Sequence, residues 1–208
     1  VKDLGCDSVQ GGRARHIPVF KHRCDKAILK AKVVKTMLKS CPAARKLTLT
    51  GVKPVVWGHE AVGVSPTMLH TIRTSIVGAL GVKKPGGCAT TALAVHGYLP
   101  YDPLVTLRTD VVVGFLGAVS KSPLRLSLAH NWEDLVTKLN CPGRWHKVVG
   151  SASATVATLL DVGWVPHSMD SWTDLNEFGG AKWNIDFKDP CLVAQFKEVF
   201  SSSVCKFV

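Results

Sequence analysis

RARHIPVFKHRCDKAILKAKVVKTMLKSCPAARKLTLTGVK, residues 13–53, is the stretch from which the rest of the chain can be read. It holds twelve basic side chains (Arg13, Arg15, Lys21, Arg23, Lys26, Lys30, Lys32, Lys35, Lys39, Arg45, Lys46 and Lys53) against one acid, Asp25. The resulting +11 is the formal net charge of all 208 residues, so everything outside the stretch cancels. Charge gathered this way points to a polyanionic partner, against the alternative of a solvated lysine-rich helix face. At roughly 100° per residue, Ala27, Ala31, Val34 and Leu38 form one apolar stripe and predict a helix over about residues 24–40. Lys32, Lys35 and Lys39 fall on one flank of that stripe, joined by Lys21 if the helix begins that early. Without glutamates at i,i+4, lysines on one arc repel each other unless an anion lies alongside. About six phosphate contacts would give a slope near −5 for log K against log[salt] on duplex.

Outward from this stretch, residues 1–20 predict a β-hairpin, with VKDLGCD and RHIPVF flanking a Gly11–Gly12 turn. Residues 47–57 (LTLTGVKPVVW) fit either a short strand or the apolar start of a helix. Ser65–Pro66 is a helix start with a capping serine, followed by Leu69, Ile72, Ile76 and Leu80 at helical spacing and a stop at Gly81. A short helix near Thr91–His96 follows. Further starts are read at Asp102–Pro103 (Leu104, Leu107, Val111 and Phe115 inward), at Asn131 and at Ser151. Asp189–Pro190 opens a last helix to about Ser201, and KWNIDF (182–187) alternates like a single strand. The expected fold is mainly α with a small N-terminal hairpin, a helical thumb/connector bundle. Residues 1–100 carry the charge excess while 101–208 are nearly neutral. That contrast divides the chain into a hairpin (1–20), a basic helical region (21–100) and a helical connector region (101–208).

The whole composition, 46% hydrophobic and 20% charged, is that of a folded soluble protein, long enough for one sizeable core or two small ones. No apolar run is read as reaching the roughly 18 residues of a membrane span, and no membrane partner is expected. The longest candidate, Val111 to Val119, follows Arg108 and Asp110. No signal or targeting segment is read. The chain opens on Val1 in mid-pattern, which predicts a piece of a longer protein. Seven widely spaced cysteines without a C-x-x-C pair predict free thiols in a reducing, intracellular setting.

Catalytic signatures fail on inspection. His59–Glu60 opens H-E-x-x-H, but Gly63 stands where the second histidine belongs, and Gly87 stands where a phosphate loop needs lysine. Gly63-Val64-Ser65 continues with Pro66 and Thr67, so it is no nucleophile elbow. His16, His22 and Cys24 lack a fourth ligand at zinc spacing. The acids Asp102, Asp174, Asp186 and Asp189 sit in cap or turn contexts. A Cys/His nucleophile pair, and with it a small hydrolase, stays open as an alternative. The six tryptophans are read as core anchors rather than base-stacking platforms.

Taken together, the segments resemble the C-terminal side of a reverse transcriptase from a non-LTR (LINE-type) retrotransposon. VKDLGCD is similar to the "(V/I)KYLG" stretch at the end of that family's palm, with Leu4 and Gly5 matching and Asp3 standing where an aromatic is common. The basic helix occupies the place of the family's thumb. GVKPVVWGHEAVGVSPTMLHTIRTSIVGALG resembles the following segment through Trp57–Gly58, Leu69, Ile72, Leu80 and Gly81. LLDVGWVPHSMDSWTDLNEFGG is similar to a "L...GW.P.....W.D..G" stretch found after the thumb. The family's polymerase site is an aspartate pair in a Y/F-x-D-D hairpin that holds two metal ions, and this chain has no Asp-Asp pair.

The resemblance therefore implies a template- and primer-holding fragment of an RNA-directed DNA polymerase, without activity alone and located in nucleus or cytoplasm. Its partners would be RNA, DNA and the upstream palm and fingers of the same polypeptide. No cofactor is expected in the fragment; divalent metal such as Mg would belong upstream. Arg13, Arg15, Lys21, Arg23, Lys32, Lys35 and Lys39 are the expected phosphate contacts, with Leu4 and Gly5 in a primer-grip turn. The alternative from a different class is a non-enzymatic module whose basic face meets an acidic partner.

Overall fold

The computed structural model describes residues 18–44, 46–48, 56–81, 88–95, 98, 101–123, 125–177, 179–186 and 189–207. It is mainly helical with one small antiparallel sheet. The chain divides into two compact units: Val1–His59 with Val64–Thr106, and Glu60–Gly63 with Leu107–Val208.

The first unit is built on α1 (Pro18–Met37) packed against α3 (Pro66–Ala79), with the short α2 (His59–Val62) between them in sequence. Ala27, Ala31 and Val34 of the expected stripe are buried along one side of α1, Cys24 extends it, and Leu38 is half-buried just past the helix end. Two alanines in that stripe let the helices approach closely. The facing side of α3 buries Leu69, Ile72, Ile76 and Val77. Ser65 caps α3 by accepting the Met68 N–H at 3.4 Å, Pro66 fills its first turn, and Gly81 follows its end with φ +67°.

α1 begins earlier than the charge pattern suggested. Pro18, Val19 and Phe20, expected at the end of a hairpin strand, form its first turn. Proline at the first helical position loses no hydrogen bond and has its φ already set for a helix. The rest of the expected hairpin, residues 1–17 with Leu4 and Gly5, lies outside the described residues, and the sheet that is present lies far along the chain.

A buried ion pair organises the first unit. Arg73 on α3 grips Asp102 through Nε (3.0 and 2.9 Å) and Nη2, and the same Nη2 donates to Thr90 Oγ1 at 2.6 Å. Thr90 belongs to α4 (Ala89–Val95), while Asp102 precedes α5 (Pro103–Ser120) and caps it by accepting the Leu104 N–H at 2.9 Å. One carboxylate thus closes a helix end and neutralises a buried guanidinium.

In the second unit, Leu107, Val111, Val112, Phe115, Leu116 and Val119 of α5 are buried. By length and composition α5 is apolar enough to cross a membrane, with mean hydropathy 1.4, yet 56% of it is buried within the fold, as in a core helix. α6 (Arg125–His130), α7 (Trp132–Leu139), α8 (Ser151–Asp161) and α9 (Pro190–Phe207) complete the helices here. Trp132 is buried 5.7 Å from the Phe115 ring and donates its Nε1–H to the Pro166 carbonyl at 3.3 Å. Asp189 caps α9 by accepting the Cys191 N–H at 2.8 Å, and the helix runs past the expected Ser201 to Phe207 because Phe200, Ser203 and Val204 keep an inward stripe going.

The connector region is not purely helical. Strands β1 (Trp164–Pro166), β2 (Ser171–Asp174) and β3 (Ala181–Asn184) pair antiparallel in that order, Trp172 opposite Trp183. Only β3 corresponds to the expected single strand. Pro166, which cannot donate to a ladder, sits on the edge strand. Trp164, Trp172 and Trp183 all meet the Phe196 ring of α9 at centroid distances of 5.2–6.3 Å, and Trp164 donates to Ser203 Oγ at 2.9 Å.

Candidate nucleic-acid interface

Because the buried stripe pins one side of α1 to α3, the lysines are forced outward. Lys21, Lys32, Lys35 and Lys39 are exposed, and none of them pairs with an acid among the described residues. On a helix of about 100° per residue they occupy a single arc beside the buried stripe. Lys32, Lys35 and Lys39 cover roughly 10 Å of axis, the length over which one DNA strand presents about three phosphates.

Arg23 is placed differently. It is half-buried, donates Nη1 to the Trp57 carbonyl at 2.6 Å and lies 4.9 Å from the Trp57 ring centroid. Its guanidinium ties α1 to the turn before α2 through that hydrogen bond and the ring contact. Trp57 was expected in the core with the other tryptophans. Instead it is 47% exposed and serves as the platform for this arginine. Trp132, Trp164 and Trp172 are fully buried as expected, while Trp145 and Trp183 are half-buried. Arg13 and Arg15 lie outside the described residues.

The exposed side of α1 has a second component that the charge pattern concealed. Leu29, Val33 and Met37 are 61%, 52% and 42% exposed. Their i,i+4 spacing was readable in the sequence as a ridge opposite Ala27 and Ala31. His22 and Cys24, weighed above as metal ligands, point to opposite sides of the same helix, one exposed and one buried, so they do not converge. Burial also pushes the Cys24 thiol up to about 12, with Asp25 adding to the shift.

Cys88 contrasts with it. This exposed thiol precedes α4, and hydrogen bonds from Thr91, then Thr90, bring it down to about 7. A Cys/His hydrolase would need such a thiolate beside a histidine; the groups that stabilise Cys88 are threonines. His59, the head of the failed metalloprotease motif, is buried with Nδ1 3.0 Å from the Val56 carbonyl.

The second unit carries an open groove of about 730 Å³, with Phe115, Val119, Leu128, Leu135 and Val149 among its lining and Lys138 and Lys147 at its edge. Lys147 Nζ is already engaged by the Lys138 carbonyl at 3.3 Å and the Cys141 thiol at 3.1 Å.

Comparison of the chain with protein-family models, with curated proteins and with solved structures finds no match.

Proposed function

We propose that this chain binds nucleic acid through the Lys21, Lys32, Lys35 and Lys39 arc of α1, as a template- or primer-holding part of a LINE-type RNA-directed DNA polymerase. The observation that carries the reading is the arc itself: four outward ammonium groups, three on α1 and Lys39 in the turn after it, unpaired with any acid among the described residues, beside the stripe that holds the helix in place. The reverse-transcriptase part rests on the short motifs around Leu4–Gly5, Trp57–Gly58, Leu69 to Gly81 and Trp164. With no Asp-Asp pair in the chain, none of the nucleotidyl-transfer chemistry is assigned to it.

Four contacts imply a slope of about −3.6 in log K against log[salt] on duplex, and more if Arg13 and Arg15 join them. The test is a salt titration of the purified chain against a primer–template duplex and single-stranded RNA. Replacing Lys32, Lys35 and Lys39 together by glutamine should weaken binding and make the slope shallower by about 2.7. An unchanged affinity and slope would remove α1 from the interface. Preference for primer–template over single strands would favour the polymerase reading, and equal weak binding to both would leave a general phosphate-binding surface.

A further inference from the structure

We infer that the outer face of α1 is a docking ridge for a separate, acidic amphipathic helix. The inference does not rest on nucleic-acid binding, since it uses Leu29, Val33, Met37, Lys26 and Lys30 rather than the lysine arc. Taking Ala31 as the centre of the buried side, the three exposed apolar side chains lie roughly 160–240° around the helix, diametrically away from α3. They form one i,i+4 row about 12 Å long. Lys26 falls within the row's span and Lys30 borders it, both exposed and without an acid partner among the described residues, while on the other side the exposed Thr36 and Asp25 stand between the row and Lys32.

Chemistry decides between occupants. Nucleic acid is held mainly through its phosphates and by stacking on aromatic rings, and a row of leucine, valine and methionine on a helix offers neither. A membrane surface selects a broad apolar face with tryptophan or phenylalanine anchors. Here the row is one side chain wide, Lys26 falls within its angular span, and it contains no aromatic residue. A second copy of α1 would set lysines against lysines. What fits is a helix whose own apolar seam receives the row and whose glutamates or aspartates meet Lys26 and Lys30, the pairing logic of coiled-coil seams.

The test uses the full chain and a labelled synthetic three-heptad peptide with leucine at a and d and glutamate at e and g. A matched peptide with lysine at e and g, phosphatidylserine-containing vesicles and a DNA duplex are the comparisons. The acidic peptide is expected to bind at least about tenfold more tightly than the lysine peptide. Val33→Ser should cut that affinity at least about tenfold while leaving the unfolding midpoint and, since it changes no charge, the duplex affinity unchanged. Lys26→Gln with Lys30→Gln should weaken it and flatten its salt dependence. Equal binding of the two peptides, no binding of either, or insensitivity to Val33→Ser would overturn the inference. Vesicle binding lost with Val33→Ser would assign the ridge to a membrane instead and overturn it too. Because the duplex is measured on the same variants, failure of the ridge and failure of the lysine arc are read separately.

Discussion

Replacing Arg73 by methionine should cost the first unit about 3–5 kcal/mol, the usual loss when one member of a buried pair is removed. Methionine fills much of the arginine stem's volume, so the loss would come from charge rather than from a cavity. Asp102 is fully buried, and without the guanidinium its carboxylate keeps only the Leu104 N–H among the hydrogen bonds described above. Domains of this size have about 5–15 kcal/mol in total, so the unit would be near its unfolding threshold. Asp102→Asn removes the charge but keeps an oxygen for the α5 cap; Asp102→Ala loses both, and the difference between them should be about 1 kcal/mol. The double variant Arg73→Met, Asp102→Asn should be less damaging than the sum of its parts by about 1–3 kcal/mol, because the cost lies in leaving one charge alone. Urea unfolding should be followed by far-ultraviolet circular dichroism and by tryptophan fluorescence together. Trp132, Trp145, Trp164, Trp172 and Trp183 belong to the second unit and only Trp57 to the first, so fluorescence reports mainly on the second. The dichroism transition should shift while the fluorescence transition stays. A loss below about 1 kcal/mol for Arg73→Met, or additivity of the two single changes within about 0.5 kcal/mol, would refute the reasoning.

Cys88 should be the first of the described cysteines alkylated in the native protein, with a rate that rises through about pH 7 and levels off above it, while Cys24 stays protected. Thr91→Val removes the largest cause and should move the midpoint toward the ordinary 9.0, which peptide mass mapping after timed iodoacetamide exposure would detect. Asp161 has its pKa raised above the ordinary 3.8 by burial, against the pull of the Trp145 hydrogen bond and of Arg108 and Arg144. Its folded form therefore holds the proton more tightly than its unfolded form. The associated stability is full below 3.8 and is lost as pH rises through the raised value. Asp161→Asn should flatten the stability profile of the second unit over that window, and superimposable wild-type and variant profiles would count against it. Lys21→Gln should stabilise α1 slightly yet weaken duplex binding, whereas Lys39→Gln should weaken both; thermal melts at low salt paired with anisotropy titrations separate the two.

The helices were legible where apolar spacing and caps agreed. Ala27 to Leu38 and Leu69 to Leu80 each show a clean stripe, and Ser65–Pro66 and Asp189–Pro190 mark starts that sterics and hydrogen bonding enforce. The sheet was less legible because β1 has only three residues, too few for alternation to register, and its order is set by tryptophans gathered on Phe196 of a later helix. The Arg73–Asp102 pair links residues 29 apart in sequence. Each looked locally explicable, one as an off-stripe arginine and the other as a cap, and only tertiary packing makes them partners. At the candidate interface, the lysine arc followed from periodicity. The contact of Arg23 with Trp57 did not, because a cation–π contact leaves no spacing rule in the sequence.

The placement of the lysines along α1 bears on what they are for. The last turn contains Lys35, with Lys39 just beyond, where cations are favoured by the helix's exposed carbonyls. A purely structural role would account for those two. Lys21 is the opposite case: it lies in the first turn, which contains no acid, where a positive charge opposes the helix dipole by about 0.3–1 kcal/mol at low salt. Nor do Lys32 and Lys35 find a glutamate at i±4 to offset their mutual repulsion. A helix optimised for its own stability would place acids at its start and interleave them along its exposed face. α1 has no acid in its first turn and only Asp25 along its exposed face, and its burial against α3 supplies the stability that the charges subtract. The natural compensation is an anion outside the helix. Lys21 is therefore the more informative residue, because its dipole effect and its phosphate effect have opposite signs, whereas at Lys39 they have the same sign and cannot be told apart by affinity alone.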